Sequence, residues 1–578
     1  MAISGILILY PSVYLGASSV LAFGALSATP SLPPLVLLLA ILRLQTETVI
    51  PRRQWNLAAG QLILTSTAIA LANAAPSWNA LSTPFVSVIA VAGLSFTTTS
   101  AAATALVLGY HIPRVLRGNW ARFTAFPAIW ATTWAIAEYV SPIGQLAAWS
   151  PLIELAGYEW VRPFGGQVAI NWIVAMWATV LAEVLGAWIV DPYDEADEDV
   201  EGATHQNPAA RPGGRKRSIW VAVLALLALT VPSYWTTDMP PPVSASDVTP
   251  FGVACALPYP QRNGVLTHTP QLADYIAESK TLQSEAKIIL WPESAVHFNS
   301  PGDKKNAFAE IHKVIHNSVY YGVGFEEVVH EDSSDGVWKV GMKRNGLAIV
   351  GAEGVVYEYY KQHLVPIAES FGMTPAKDEQ AAIFTIQLPH PKSWTGPAWA
   401  PGPNHTRPIS LSASICLDFA YSSTLHSLSS RPALVLAPAR TWHPTIGLTM
   451  WQHARARAAE TGTTLLWCDG GAGGVSGLAG HGRRAFRQAG PGSWVQVASV
   501  QWPFDEGRTP FAVGGTRAAL FVIFFVVGAG WATTHVGGTL EEGGRAVGAG
   551  VRRLADVWRV AVAVRRRHAV GEQQSLLG

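Results

Sequence analysis

The chain has 578 residues, 14% of them charged and 49% hydrophobic, with 40 Lys and Arg against 39 Asp and Glu and a mean hydropathy of +0.23. Ordinary soluble domains carry about 25% charge, so this composition argues against a plain globular protein, and a net charge of +1 argues against a general nucleic-acid binder. The three cysteines, Cys255, Cys416 and Cys468, are too few for a disulfide framework and lack the Cys-x-x-Cys spacing of zinc or thioredoxin chemistry.

Apolar runs of about 20 residues, long enough to span a bilayer core, fall at 4–24, 31–46, 55–74, 84–110, 123–146, 168–190, 218–236 and 515–534. The second is short and flanked by proline, so the first two read equally as one broken hairpin. The first has no basic leader and no small-residue cleavage site, and it reads as a retained helix. Lys and Arg concentrate in alternate loops. Arg52 and Arg53 fall in one, Arg114, Arg117 and Arg122 in the next, Arg211, Arg215, Lys216 and Arg217 in a third, and Arg552, Arg553, Arg559 and Arg565 to Arg567 in the C-terminal tail. By the positive-inside rule both termini face the cytoplasm and residues 237–514 lie outside it. Segment 192–217, acidic then Pro/Gly-rich and basic, reads as a solvated cytoplasmic linker. Glu138 and Glu183 fall inside expected spans, where an ionised carboxylate usually faces a cavity or a partner.

From about 245 to 510 short β-rich runs alternate with helical patterns. Strands are expected at 252–257, 287–291, 320–325, 346–350, 355–359, 409–416, 433–437 and 464–468, and helices at 269–284, 304–317 and 448–461. That alternation predicts an α/β domain. The expected divisions are a bundle over 1–240, the α/β domain over 245–510, a last span over 515–534 and a basic tail over 535–578.

Three strand ends carry ionisable residues. Ile288 to Trp291 leads through Pro292 to Glu293; Tyr359 and Tyr360 lead to Lys361 and, further on, Glu369; Leu411 to Ile415 leads to Cys416 at the start of an expected helix, whose dipole would favour the thiolate. Singly, a Cys in an apolar strand is usually structural and a loop Glu or Lys is usually solvated. Together they form a chemical set: a nucleophilic thiolate, a carboxylate to carry its proton, and an ammonium to stabilise an oxyanion. Cys255 and Cys468 read as buried structural thiols.

The motifs Trp291-Pro292-Glu293-Ser294-Ala295, Lys361 with His363-Leu364-Val365-Pro366, and Ile415-Cys416 resemble the Glu, Lys and Cys signatures of the carbon–nitrogen hydrolase (nitrilase) superfamily. Within it, the helices before the domain and the single helix after it resemble the apolipoprotein N-acyltransferase family. Phe126-Pro127-Ala128-Ile129-Trp130 through Glu138, Asn345-Gly346-Leu347, Trp451-Gln452-His453 with Arg455 to Ala458, and Arg508-Thr509-Pro510-Phe511-Ala512 also match that family's pattern. The resemblance implies an α-β-β-α sandwich between the seventh and eighth spans, Glu293 as general base, Lys361 as oxyanion stabiliser, Cys416 as nucleophile and Glu369 as an additional active-site carboxylate. It implies acyl transfer from a phospholipid, through a Cys thioester, to an acceptor amine such as the N-terminal Cys of a lipid-anchored protein, in a monomer without metal or cofactor.

The chain departs from the family at Leu417-Asp418, at Ala439-Arg440-Thr441-Trp442 and at Cys468-Asp469-Gly470-Gly471, positions that shape the rim. Arg440 is a usual surface or structural arginine that at this divergent position could meet a lipid head group. The sequon Asn404-His405-Thr406 on the external side keeps a secretory-pathway lumen open beside a periplasm as the domain's compartment. Two other readings stand beside the first: a membrane-anchored amidase in which water resolves the thioester, and a catalytically inactive transporter or scaffold, favoured only by Glu138 and Glu183.

Overall fold

The structure, a computed structural model, describes residues 11–190 and 212–536 apart from 117–118, 156, 237, 244–246, 260, 263–264, 267, 331–340, 377–379, 391–404 and 483. The linker up to 211, Asn404 of the sequon and the tail beyond 536 lie outside the described residues.

Among the described residues seven α-helices precede the α/β part: α1 (Pro11–Ala25), α2 (Leu32–Val49), α3 (Trp55–Ser77), α4 (Pro84–Val115), α5 (Asn119–Val140), α6 (Arg162–Val190) and α7 (Pro212–Ala228). Proline begins several of them where its missing N–H costs nothing, and the Thr83 hydroxyl caps α4 by accepting from the Val86 N–H. Among the described residues five stretches are long and apolar enough to cross a membrane: Leu32–Val49, Trp55–Ser77, Pro84–Val115, Glu159–Gly186 and Pro510–Ala532. Ser12–Ala25 and Ser218–Tyr234 are apolar but shorter. Helix α5 carries Thr124, Thr132, Thr133 and Glu138 among its apolar residues, and it is not one of the five. Each of the eight expected spans overlaps a described helix, residues 4–10 of the first lying outside the described residues, and five of those helices satisfy length and hydropathy by themselves. A buried tryptophan group, Trp130, Trp134 and Trp149, packs with Leu35, Leu38 and Leu39 to join α2, α5 and the segment after it.

The α/β part contains β1 (Val248–Cys255), the hairpin β2 (Gln261–Arg262) and β3 (Val265–Leu266), α8 (Leu272–Leu282), β4 (Ile288–Leu290), β5 (Val296–Phe298), α9 (Pro301–His312), β6 (Tyr320–Val328), β7 (Lys343–Gly351) and β8 (Gly354–Tyr360). It continues through β9 (Phe384–Pro389), β10 (Thr406–Ala413), β11 (Leu434–Ala439), α10 (Pro444–Thr461), β12 (Thr464–Asp469), β13 (Val475–Ala479), β14 (Ala485–Ala489) and β15 (Trp494–Gln501). Helix α11 (Pro510–Val536) then returns to the bundle.

One sheet runs β15-β1-β4-β6-β7-β8, with β5 also paired to β6, and the other β14-β13-β12-β11-β10-β9. Side chains of a strand alternate between faces, and β1 and β4 show what this does. Val253, Cys255, Ile288 and Leu290 face the second sheet's Leu411, Leu436 and Leu466, while Ala254, Ile289 and Trp291 face outward under Tyr275 of α8 and Phe308 of α9. Met450, Trp451 and Ala454 of α10 pack with Trp467 and Leu478 of the second sheet. The layers are therefore helix, sheet, sheet, helix.

Two expectations are corrected here. Cys255 of β1 and Cys468 of β12 are buried, as expected, but they are joined in a disulfide across the two sheets rather than standing as thiols. Their separation of 213 residues hides a pairing that only the facing of the sheets creates. The strand expected to reach Cys416 ends at Ala413, and the helix expected beyond it is one five-residue 3-10 turn, Cys416–Ala420. A single turn offers little dipole.

Candidate active site

Glu293, Lys361, Glu369 and Cys416 come together at the ends of β4, β8 and β10. After β4, the Trp291 N–H bonds to the Gly322 carbonyl, Pro292 turns the chain, and Glu293 points into the protein, 3% exposed. Lys361 follows β8 and is fixed at both sides of its backbone, its N–H donating to Asn345 O (2.9 Å) and its carbonyl accepting from Ala376 N (3.0 Å). Its Nζ, 1% exposed, donates to Glu293 Oε1 at 2.7 Å and to Glu369 Oε1 and Oε2 at 2.8 and 2.9 Å. Asn345 of β7 donates from Nδ2 to the same Glu293 oxygen (2.7 Å), and the Val365 N–H holds Glu369 Oε2 (2.8 Å). One ammonium is thus held between two carboxylates, one buried and one at the rim.

Cys416 is buried against this group, its thiol lying beside the Glu293 carboxyl and the main-chain N–H of Arg440. Cys416 has φ of +43° and Ser294 +54°, left-handed values that non-glycine residues adopt rarely and that cluster at functional sites. Burial, and then the nearby Glu293, push the Cys416 thiol well above its ordinary range. Burial also lifts the Glu293 carboxyl to about 7, against the pull of Lys361. The expectation of a thiolate favoured by a helix dipole is therefore corrected: the resting sulfur holds its proton, and the adjacent carboxylate is placed to take it.

Asp418, noted in the sequence only as a departure, is the hub that joins the Cys416 turn to the Lys361 loop. It is fully buried and accepts from the Tyr359 hydroxyl (2.9 Å), the main-chain N–H groups of His363 (2.8 Å) and Gln362 (3.2 Å), and the Ile415 N–H (3.3 Å). The His363 ring bonds it at 2.9 Å and stacks on Tyr421 at 3.8 Å. A carboxylate two residues past the cysteine, in an otherwise apolar run, was the available signal.

The two other divergent segments meet each other. Asp469 accepts from Thr441 N (2.9 Å), Thr441 Oγ1 (2.6 Å) and Gly471 N (2.9 Å), which fixes the loop bearing Arg440. A side chain at Gly471 would lie 1.7 Å from the Thr441 carbonyl oxygen, so only glycine fits. Arg440 is exposed and reaches Ser294 O at 3.1 Å, a rim contact that ties it to the Glu293 turn.

The cysteine turn rests on the bundle. Glu138 at the end of α5 is buried and accepts from Ser422 N (2.7 Å) and Gln145 Nε2 (2.7 Å), and Tyr421 donates to Ser141 O (3.1 Å). From Gln145 the contacts continue to Arg457 Nη2 (3.1 Å), which also reaches Glu460 Oε1 (2.7 Å), itself bonded by Gln167 N (2.9 Å) of α6. Glu138 therefore serves the junction, and Glu183 lies 3.7 Å from Arg43; each carboxylate has a structural partner. Among the described residues no cluster of His, Cys, Asp and Glu is arranged to hold a metal.

No protein-family model and no curated protein matches the chain. Solved structures it is similar to include a cysteine mutant of the Nesterenkonia AN1 amidase from the nitrilase superfamily, 17% identical with a TM-score of 0.31, covering 49% of this chain and 100% of that one. Another is Saccharomyces cerevisiae Nit3, a member of branch 10 of the nitrilase superfamily, 16% identical, TM-score 0.31, covering 44% and 91%. A third is the glutamine-dependent NAD+ synthetase from Acinetobacter baumannii, 14% identical, TM-score 0.30, covering 44% of this chain; the match spans 46% of the synthetase's length.

Proposed function

We propose that the protein is a membrane-bound N-acyltransferase that moves a fatty acyl chain from a phospholipid, through a thioester on Cys416, to an acceptor amine. The observation that carries this reading is the seat of the nucleophile. The Cys416 turn is anchored on α5 through Ser422 and Glu138, so an ester drawn from the membrane has a short path to the sulfur.

In the first half-reaction Cys416 Sγ attacks the ester carbonyl carbon and its proton passes to Glu293. The oxyanion is stabilised by Lys361 and the Arg440 main-chain N–H. Collapse breaks the C–O bond, Glu293 returns the proton to the leaving alkoxide, and a lysophospholipid departs. In the second half-reaction the amine attacks the thioester, Glu293 accepts its proton, and collapse to the amide returns that proton to the departing sulfur. Glu369 holds Lys361 from the rim, and no step calls for a metal or cofactor. The Cys255–Cys468 disulfide supports an oxidising, extracytoplasmic setting for the domain, in line with the loop charges.

The test is intact mass of the wild-type protein and of Cys416→Ala after incubation with phospholipid and no acceptor. The expected outcome is a fatty-acyl increment on wild type alone, released by hydroxylamine. A lipid-supplied, folded wild type without the increment overturns the reading, and an increment that water clears faster than any added amine points to the amidase.

A further inference from the structure

The rim of the Cys416 site carries a cationic side chain that no step of the acyl transfer has yet used. Arg440 directly follows β11, and the structure places both of its ends. Its main-chain N–H lies beside the Cys416 thiol, in a loop held by Asp469, which accepts from Thr441 N (2.9 Å) and Thr441 Oγ1 (2.6 Å). Its side chain is exposed, and Nη1 donates to the Ser294 carbonyl at 3.1 Å. Among the described residues it forms no ion pair. A guanidinium has five donors in a planar fork, so one bond to a neutral carbonyl leaves its charge and most of its donors open to an anion.

Two further observations say which anion. Trp442, two residues on, donates from Nε1 to the Pro76 carbonyl (3.1 Å) in the last turn of α3, and α3 is one of the membrane-length helices. The segment bearing Arg440 therefore touches the end of a span, where chain leaves the apolar layer. The floor of the site, in turn, has no positive charge to spare: Lys361 is held between Glu293 and Glu369. A donor that brings a phosphate needs its cation at the rim.

We propose that the Arg440 side chain binds the phosphate of the donor phospholipid while its own main-chain N–H faces the carbonyl oxygen of the ester under attack. Covalent geometry supports the pairing. The same number of bonds separates an arginine's main-chain nitrogen from its guanidinium carbon as separates the sn-1 carbonyl carbon of a glycerophospholipid from its phosphorus, a reach of at most about 7 Å in each. The glycerol can thus lie along the arginine, with the ester at the sulfur and the phosphate in the fork, where bidentate contacts to phosphate are strongest. The assignment rests on the phospholipid reading given above and supplies what that reading lacks, a group that tells a phospholipid from a neutral glyceride. It belongs to this chain's own residue, at a position where the chain departs from the family it resembles.

The test is single-turnover acylation of Cys416, followed by intact mass, with three donors of one acyl chain: phosphatidylglycerol, diacylglycerol and the p-nitrophenyl ester. Wild type is expected to react at least about tenfold faster with the phospholipid than with diacylglycerol, and Arg440→Leu to lower that preference about tenfold, the scale of a charge-assisted contact, with Arg440→Lys between the two. Equal rates with the two glycerolipids in wild type overturn the assignment, and so does a preference that Arg440→Leu leaves intact. Rates that fall together with the preference kept make Arg440 only a strap on the Glu293 turn and overturn it as well. A wild type acylated by the p-nitrophenyl ester but by neither glycerolipid overturns the phospholipid reading itself and the assignment with it, which sets that failure apart from the others. If Arg440→Leu does not fold, Arg440→Gln, which keeps a donor for Ser294 without the charge, takes its place with the same outcomes.

Discussion

Glu293 accepts from Lys361 and Asn345 and lies beside the Cys416 thiol in a site that water barely reaches, and this sets the pH at which the site can work. Proton transfer from the thiol needs the ionised carboxylate, and burial lifts that ionisation to about 7. The rate of thioester formation is therefore expected to rise with pH, about tenfold per unit below 7, and to level off above it. Single-turnover kinetics across pH 5 to 9 measure this, and a flat profile removes Glu293 from the role. The stability contribution runs the other way: a folded pKa above the ordinary value means that the gain is fully present below about 4.5 and lost as pH rises through about 7. Lys361 shows why these residues act as a set. An ammonium buried to this degree would be strongly destabilising alone, and here two carboxylates and the fixed backbone on either side hold it.

At the scale of elements, the strands β4, β8 and β10 end at Leu290, Tyr360 and Ala413, each within three residues of the side chain it delivers. Pro292 turns the chain after β4, and Ser294 and Cys416 take left-handed backbone conformations where their segments enter the site. The expected strands and the three helices of the α/β part lie close to where periodicity put them, because their apolar runs are buried on one or both faces. Strands β9 and β14 were not legible: their side chains alternate between exposed and covered over only five or six residues, and they exist because neighbouring strands offer them an edge. The disulfide between β1 and β12 fastens the two sheets to each other. Replacing Cys255 and Cys468 together by Ser is expected to lower stability by about 2–5 kcal/mol while leaving the acyl adduct on Cys416 in place. Thermal melts and intact mass of the double variant check both parts, and loss of the adduct with an unchanged melt would contradict the separation of roles.

At the scale of the whole molecule, the polar chain from Glu138 through Gln145 and Arg457 to Glu460 and Gln167 locks the α/β domain to α5 and α6. Helix α11 adds an apolar lock, with Phe511 packed against Gly166 and the Ala128 and Ala131 face of α5. A side chain at Gly166, which has φ of +57°, would lie 2.3 Å from the Phe511 ring, so the close approach of α6 and α11 depends on that glycine. The orientation proposed from loop charge has its own test. In intact cells, a membrane-impermeant maleimide is expected to label a Lys305→Cys variant, exposed on the α/β domain, and to label an Arg52→Cys variant, exposed in the loop between α2 and α3, only after permeabilisation. The reverse pattern inverts the topology.

By itself the sequence determined where the apolar helices lie, that an α/β domain separates the last from the rest, and which Glu, Lys and Cys stand at strand ends, since those follow from hydropathy, period and local turn chemistry along one stretch of chain. Only the tertiary structure decided that Asp418 and Asn345 position the set, that Cys416 rests as a protonated thiol, that Cys255 and Cys468 are bonded, and that the nucleophile's turn sits on α5. Each of these depends on groups far apart in sequence meeting in a buried space, where desolvation and a neighbouring charge, rather than residue type, set protonation and partnership.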